Sequence, residues 1–194
     1  MNFLAHIYLS GNNDFMKIGG FMADGIRGKD YEHFPEDIQK GIILHRAIDT
    51  FTDAHSVFRI SKHRLHKRYG HYSGVIIDVF YDHFLAKNWK HYSDEKLDVF
   101  VNNFYQSLED NFDILTLKTQ NMLPHMERGN WLWNYQFIDG IGKILSQMDY
   151  RTKNTSKMGE SVKELREFYT EFEQEFTLFF KELRDFVAEK IKTL

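Results

Sequence analysis

The chain has 194 residues, 42% of them hydrophobic and 16% aromatic, enough apolar material for one compact domain spanning residues 1–194. It contains no cysteine, which excludes disulfides, thiolate nucleophiles and zinc sites built on sulfur. The formal net charge of −3 argues against a general nucleic-acid-binding protein, because such proteins carry a surplus of cations. The first ten residues lack the features of a signal peptide and no apolar run is long enough to span a membrane, so we expect a cytoplasmic protein.

The sequence predicts an all-α fold, a single-domain helical bundle. Only two prolines occur, no segment alternates with period two, and apolar residues recur at three- and four-residue steps. The predicted helices run from Pro35 to about Phe51, from Ser73 and Gly74 to about Trp89, from an N-cap at Ser93 to about Asp110, and from Trp133 to about Met148. We expect Pro124 and the pair Gly129 and Asn130 to interrupt the chain between the last two.

The clearest periodic signal lies in the last third of the chain. Apolar residues at steps of three and four define a seam on one long helix: Val162, Leu165, Tyr169, Phe172, Phe176, Phe179, Leu183 and Phe186. Because exposed apolar seams are uncommon, we expect this helix to pack on its own bundle, the alternative being an exposed coiled-coil dimer.

A polar stripe interrupts the predicted helix that begins at Pro35. His45, Asp49 and Asp53 follow one another at four-residue steps. Each step rises about 6 Å and turns the side chain by only about 40°, so adjacent members can bind the same metal ion. The surrounding residues are apolar, and carboxylates in such helices are costly to bury unless they are paired or bound to a cation.

A second apolar helix repeats this design. Asp78 and Asp82 are four residues apart, and His83 is adjacent. The alternative is that both sets are surface polar residues, or that the two aspartates pair with Arg46 or another cation. The two segments together favour a metal site of nitrogen and oxygen ligands, which suits Mn²⁺, Mg²⁺ or Fe²⁺ better than structural zinc.

Two further regions bear on the site. Asp24 lies in a glycine-flanked segment with Arg27 nearby, which indicates a further ligand and a phosphate-binding arginine, although the segment lacks the Gly-Lys-Ser/Thr ending of a phosphate loop. His6 is isolated in the sequence, and we expect it to be a hydrogen-bonded core histidine.

The charged side chains of the stretch from Ala54 to Ile77 are all basic. It contains no Asp or Glu but holds five cations, namely Arg59, Lys62, Arg64, Lys67 and Arg68. Such a patch beside a metal site would attract an anionic substrate or an acidic protein. The alternative is an ordinary solvated helix face.

Four motifs in the same order resemble the acyl carrier protein phosphodiesterase family. They are Met1 to His6, Gly20 to Asp24, Leu44 to His55 and Asp78 to Ala86, so the resemblance covers about the first ninety residues closely. It implies an all-α, HD-domain-like fold related to that of the His-Asp metal phosphohydrolases, and an activity that depends on manganese. It also implies hydrolysis of the phosphodiester that joins 4′-phosphopantetheine to a serine of holo-acyl carrier protein, an acidic partner.

Carried over by motif, the resemblance places Asp24, His45, Asp49, Asp53, Asp78, Asp82 and His83 around the metal. The usual enzymes carry their doublet as His then Asp, whereas this chain reads Asp82 then His83. We expect Arg46 or Arg27 to neutralise the phosphoryl oxygens, and His55 or a water bound to the metal to protonate the leaving serine oxygen. Hydrolysis of a nucleotide or another small phosphodiester, and a non-catalytic carrier-binding protein, are the alternatives.

Overall fold

The computed structural model describes all 194 residues and contains eleven α-helices and no strand. The helices are α1 (Phe3–Leu9), α2 (Asp14–Met22), α3 (Glu36–Ala54), α4 (Ser56–Tyr69), α5 (Ser73–Lys87), α6 (Leu97–Asp110), α7 (Leu117–Arg128), α8 (Trp131–Asn134), α9 (Ile138–Arg151), α10 (Val162–Glu167) and α11 (Tyr169–Ile191). Five short 3₁₀ turns join them, at Ala23–Gly25, Gly70–Tyr72, Trp89–His91, Phe112–Ile114 and Met158–Glu160. The predicted all-α fold is confirmed.

Several predicted helix boundaries differ from the structure. Ser93 is not an N-cap, because its hydroxyl accepts a hydrogen bond from the Glu95 backbone N–H in a turn and α6 begins only after Lys96. Pro124 lies inside α7 instead of ending a helix. The helix predicted from Trp133 to Met148 is divided into α8 and α9. By contrast, Pro35 occupies the N-cap of α3 as its fixed backbone angle favours.

The C-terminal apolar seam packs on the protein's own bundle, as predicted. Phe172, Phe176, Phe179 and Leu183 have no solvent-exposed surface and belong to one continuous cluster of 48 buried apolar residues. The seam is not carried by one helix, however, because the chain breaks at Phe168 between α10 and α11. No helix combines the length and the apolar character that a membrane span requires.

The central helix of the bundle is α5, in which eleven of fifteen residues are buried. It contacts α1, α4, α9 and α11. A helix surrounded in this way is apolar on nearly every face, so a charged residue within it needs a specific partner. The elements that pack against α5 therefore determine which groups the carboxylates of Asp78 and Asp82 contact.

Helices α2 and α3 approach one another closely because glycines lie at their contact. A methyl group on Gly19 would collide with the carbonyl oxygen of Ile38, and one on Gly41 would collide with the carbonyl oxygen of Met16. The contact brings the carbonyl oxygen of Gly20 to 2.7 Å from Nδ1 of His45. The glycine packing therefore sets the orientation of a histidine that the sequence predicts as a metal ligand.

A row of charged contacts holds α4 against α10 and α11. The guanidinium of Arg64 donates two hydrogen bonds to Glu175, at 2.7 and 2.6 Å, and stacks on Phe172. Arg68 is paired with Glu160 and Glu164. These cations connect helices, so much of the charge predicted for the Ala54–Ile77 stretch is neutralised within the protein.

We predict that Gly41→Ala lowers the free energy of unfolding by about 1–3 kcal/mol, because the added methyl group must push α2 away from α3. Urea unfolding measures the change. The matched control is Gly74→Ala on α5, where an added methyl group meets nothing closer than 3.8 Å. That variant should be unchanged or up to about 1 kcal/mol more stable. Equal effects of the two substitutions would contradict the close helix contact.

Candidate metal centre

Residues from α3, α5 and α9, from the turn after α2 and from the two residues before α1 converge on a cleft of about 380 Å³. The lining residues are Met1, Asn2, Asp24, Asp49, Thr52, Asp53, Val75, Asp78 and Met148. Four of them are aspartates, and none is a lysine or an arginine. The amino group of Met1 lies 2.8 Å from Oδ1 of Asp78 and 4.0 Å from Oδ1 of Asp49. No lysine or arginine therefore neutralises the carboxylates of the cleft, whose positive partners are the Met1 amino group and, for Asp24 and Asp49, His45.

His45 presents one ring nitrogen to this cluster. Its Nδ1–H donates to the carbonyl oxygen of Gly20, which leaves Nε2 facing the carboxylates. Nε2 lies 3.2 Å from Oδ1 of Asp24 and 3.0 Å from Oδ2 of Asp49, one helical turn further along α3. A backbone acceptor that fixes the tautomer in this way is the usual support of a histidine ligand.

His6 is buried and its Nε2 lies 3.1 Å from the carbonyl oxygen of Met1, as predicted for a hydrogen-bonded core histidine, and the same residue also belongs to the cluster. Its ring stacks on that of His45 with centroids 3.8 Å apart, and its Nε2 lies 3.3 Å from Oδ1 of Asp49. Its Nδ1 is buried and has no hydrogen-bond partner. One ligand atom each of His6, His45 and Asp49 lie within 4.8 Å of one another. Only the motif from Met1 to His6 drew attention to this residue in the sequence.

The pKa values of His6, His45 and Asp49 are shifted by burial and by the neighbouring charges. Burial alone would lower the pKa of His45, but the hydrogen bonds that its ring donates to Asp24 and Asp49 outweigh burial and raise the pKa to about 9. Burial and the neighbouring His45 lower the pKa of His6 to about 4. Although burial opposes it, hydrogen bonds to His45 and His6 hold the pKa of Asp49 well below its usual range. The protonated His45 is thus the counter-charge of two carboxylates, a role that a metal cation could take over.

A divalent cation fits this set of residues. Two imidazoles and carboxylates supply the mixed nitrogen and oxygen donors that Mn²⁺ and Fe²⁺ accept, and no sulfur is present. The buried hydroxyl of Thr52 lines the same cleft and has no hydrogen-bond partner. Of the seven predicted ligands, five surround the cleft: Asp24, His45, Asp49, Asp53 and Asp78.

Asp82 lies at the N-terminus of α1 instead of lining the cleft. Its Oδ2 accepts a hydrogen bond of 2.7 Å from the Leu4 backbone N–H, and its Oδ1 accepts longer bonds from Asn2 and Ala5. The side chain has no exposed surface, and burial raises its pKa to about 7. Asp82 therefore holds α1, and with it His6, against the central helix.

His83 faces a different part of the bundle. Its Nδ1–H donates to the carbonyl oxygen of Tyr135 at 2.7 Å, and its Nε2 lies 2.8 Å from the hydroxyl of Tyr169. Burial lowers its pKa to about 4. Both ring nitrogens are thus engaged away from the cleft, because residues adjacent on a helix point about 100° apart.

The three predicted catalytic residues lie outside the cleft lining. Arg46 donates to the carbonyl oxygens of Ile26 and Gly28 and so ties down the segment that follows Asp24. His55 caps α4 by accepting from the Val57 N–H, and its Nε2 lies 3.2 Å from Glu182. Arg27 is exposed and forms no ion pair, which leaves its guanidinium free.

The five cations of the Ala54–Ile77 stretch, which the sequence predicts to attract an acidic partner, fall into two groups, those that form ion pairs within the protein and those that do not. Arg64 and Arg68 are paired with the carboxylates of α10 and α11. Lys62 and Lys67 form no ion pair, and Arg59 donates to the backbone carbonyl of Asp53. Fewer free cations therefore lie on α4 than the sequence alone indicates.

We predict that His45→Ala weakens Mn²⁺ binding by more than roughly 100-fold, because it removes a ligand atom whose orientation is fixed by the backbone. Isothermal titration calorimetry measures the affinity, and circular dichroism should show unchanged helix content. The control is His63→Ala, an exposed histidine on α4. Retention of full Mn²⁺ affinity by His45→Ala would contradict the assignment of this site.

We predict that Asp82→Ala destabilises the metal-free protein by about 1–3 kcal/mol, because it leaves buried backbone donors of α1 without an acceptor. Urea unfolding in the presence of a chelator measures this effect. Asp94→Ala, which removes an exposed carboxylate, should change stability by less than about 0.5 kcal/mol. A loss of Mn²⁺ affinity with no loss of metal-free stability would instead make Asp82 a direct ligand.

Comparison with known proteins identifies the relatives of this chain. The family model described as acyl carrier protein phosphodiesterase matches residues 1–183. An acyl carrier protein phosphodiesterase of Photorhabdus laumondii is 28% identical, the match covering 93% of this chain and 91% of the relative. One of Pectobacterium atrosepticum is 27% identical over 93% and 94%, and one of Salmonella agona is 28% identical over 98% and 99%. No solved structure matches the chain. The match over nearly the whole length shows that this chain belongs to the acyl carrier protein phosphodiesterase family.

Proposed function

We propose that this chain is a metal-dependent phosphodiesterase that removes the 4′-phosphopantetheine group from holo-acyl carrier protein and leaves the apo-protein. The observation that carries the metal dependence is the cluster of His6, His45 and Asp49 beside a cleft that is lined by four aspartates and by no lysine or arginine. The relatives named above are acyl carrier protein phosphodiesterases, which supports the substrate.

The proposed ligands are His6, His45, Asp49 and Asp24, with Mn²⁺ as the first candidate and Mg²⁺ or Fe²⁺ as alternatives. When bound, such a cation lowers the pKa of a water ligand and neutralises charge on a phosphoryl oxygen. The carbonyl oxygen of Gly20 keeps Nε2 of His45 facing Asp24 and Asp49, where it would hold the cation, and Asp53 and Asp78 would accept hydrogen bonds from groups that enter the cleft.

Of the predicted catalytic side chains, Arg27 is the one whose guanidinium is free to bind the non-bridging oxygens of the phosphodiester. It follows Asp24 by three residues. Arg46 supports this arrangement by donating to the carbonyl oxygens on either side of Arg27, at Ile26 and Gly28. The ring of His55 is engaged by α4 and Glu182, so the proton for the leaving serine oxygen is assigned to a water in the cleft.

The direct test is incubation of holo-acyl carrier protein with the purified protein and Mn²⁺, with the mass of the carrier followed by mass spectrometry. We predict loss of the phosphopantetheine group, no loss after chelation, and recovery when Mn²⁺ is restored. His45→Ala should be inactive, whereas His63→Ala should retain full activity.

Unchanged holo-carrier with Mn²⁺, Mg²⁺ and Fe²⁺ in turn would overturn the proposed substrate. Turnover of a cyclic or linear nucleotide phosphodiester by the same preparation would then assign the cleft to a small substrate. Activity that survives complete removal of metal would overturn the metal dependence instead.

A further inference from the structure

A second concave surface lies between α7 and α9. This α7/α9 groove has a volume of about 770 Å³ and is lined by eleven residues, only three of them hydrophobic. None of the eleven is an aspartate or a glutamate, whereas Lys118, Arg128 and Arg151 are cations. Pockets for small molecules are lined predominantly by apolar side chains, so this lining is more typical of a surface for a charged partner.

The cations of the groove are free. Arg128 and Arg151 are exposed, and neither forms an ion pair or a side-chain hydrogen bond within the protein. On α4, by contrast, Arg64 and Arg68 are neutralised by carboxylates of α10 and α11. The groove therefore offers an anionic partner two guanidinium groups whose donors are all unused, whereas the unpaired cations of α4 are Lys62, Lys67 and Arg59, whose Nε is already engaged.

The groove also has the aromatic content of a protein interface. Tyr150 is 77% exposed, although a side chain of this size is normally more buried, and Trp131 and Met122 line the same surface. Protein interfaces are enriched in Tyr, Trp, Met and Arg and depleted of Asp and Glu. This combination of residues is the one found in the α7/α9 groove.

The groove and the candidate metal centre both involve α9. Met148 of α9 lines the cleft, whereas Gln147 and Tyr150, which point about 100° and 200° away from it around the helix, line the groove. On the other side, a methyl group placed on Gly25 would lie 3.5 Å from Cδ of Lys118, and Gly25 follows Asp24 directly. A group attached to a protein in the groove would therefore have to extend past Gly25 to reach Asp24 and the other candidate ligands.

We propose that the α7/α9 groove, and not the α4 surface, is the docking site for an acidic carrier protein. The proposal rests on the proposed function for the identity of this partner. Guanidinium groups at Arg128 and Arg151 pair with carboxylates of the carrier, and Tyr150 and Trp131 pack against the apolar residues between them. The prosthetic arm then passes from the docked surface into the cleft beside Met148.

The test compares two double charge reversals of equal size, Arg128→Glu with Arg151→Glu in the groove and Lys62→Glu with Lys67→Glu on α4. All four residues are unpaired, so neither variant breaks an internal ion pair. Lys118 and Arg59 are left unchanged because they lie next to Gly25 and Asp53 at the cleft. Thermal unfolding checks that both variants fold, and Mn²⁺ titration checks that both keep the metal centre.

Binding of fluorescently labelled holo-acyl carrier protein is measured by fluorescence anisotropy in the presence of a chelator, so that docking is separated from hydrolysis. The groove variant should weaken the Kd by at least about tenfold, and the α4 variant by less than about threefold. In assays with Mn²⁺ the groove variant should raise KM while kcat changes much less. Binding by the unsubstituted protein should weaken with added salt, because exposed charges are screened over about 10 Å at 0.1 M ionic strength.

An unchanged Kd for the groove variant, an equal effect of both reversals, or a larger effect on α4 would each overturn the groove. A single-stranded oligonucleotide that displaces the carrier from the groove at equal concentration would also overturn it, and would assign the surface to nucleic acid. Carrier that binds tightly but keeps its phosphopantetheine with every metal would overturn the proposed function and leave the docking site standing. Release of the phosphopantetheine group together with an unchanged Kd for the groove variant would overturn the docking site and leave the proposed function standing.

Discussion

The close contact between α2 and α3 is the constraint on which the candidate centre depends. Gly19 and Gly41 let the two backbones meet, and this places the carbonyl oxygen of Gly20 where it accepts from Nδ1 of His45. With that nitrogen occupied, the only free nitrogen of His45 is directed at Asp24 and Asp49. Asp49 follows one turn later on the same helix, so a single packing contact orients the ligand set. A larger side chain at either glycine would alter the fold and the chemistry together.

The two aspartates of the central helix have different roles, one in the cleft and one in holding a neighbouring helix in place. Asp78 lines the cavity, whereas Asp82, one turn further along α5, accepts the backbone N–H groups at the start of α1. Because α1 has only seven residues, its stability comes from this anchor and from tertiary packing and not from its own propensity. His6 lies on α1 and reaches Asp49 only while that helix is held in place. One buried carboxylate therefore positions a candidate ligand without contacting it.

The local parts of this arrangement could be predicted from the sequence, and the long-range parts could not. The stripe of His45, Asp49 and Asp53 depends only on helical spacing, and in the structure His45 contacts Asp49 while Asp53 lines the same cleft. The same spacing groups Asp82 with Asp78, but α1 packs over Asp82 and takes its oxygens, which no pattern within α5 reveals. The pairing of Arg64 with Glu175 joins residues 111 positions apart, so the acid-free stretch looked more exposed than it is. The kinship with His-Asp phosphohydrolases and the native metal stay predictions.

The distribution of charge explains why a bound cation and an outer cationic surface belong together under the proposed function. A phosphodiester is an anion, and the cleft presents it with four aspartates against the single amino group of Met1 and no lysine or arginine. Carboxylates this close would repel the substrate, since charges of like sign at about 4 Å cost several kcal/mol at a protein surface. A divalent cation held by His6, His45 and Asp49 would reverse the sign of the field at these residues, while Arg27 and the free arginines of the α7/α9 groove lie outside the cleft. An acidic carrier would thus meet cations first on the outer surface, and its phosphodiester would meet the next cation only at the base of the cleft. The order of these charges along the approach favours a substrate that is tethered to a protein over one that diffuses freely.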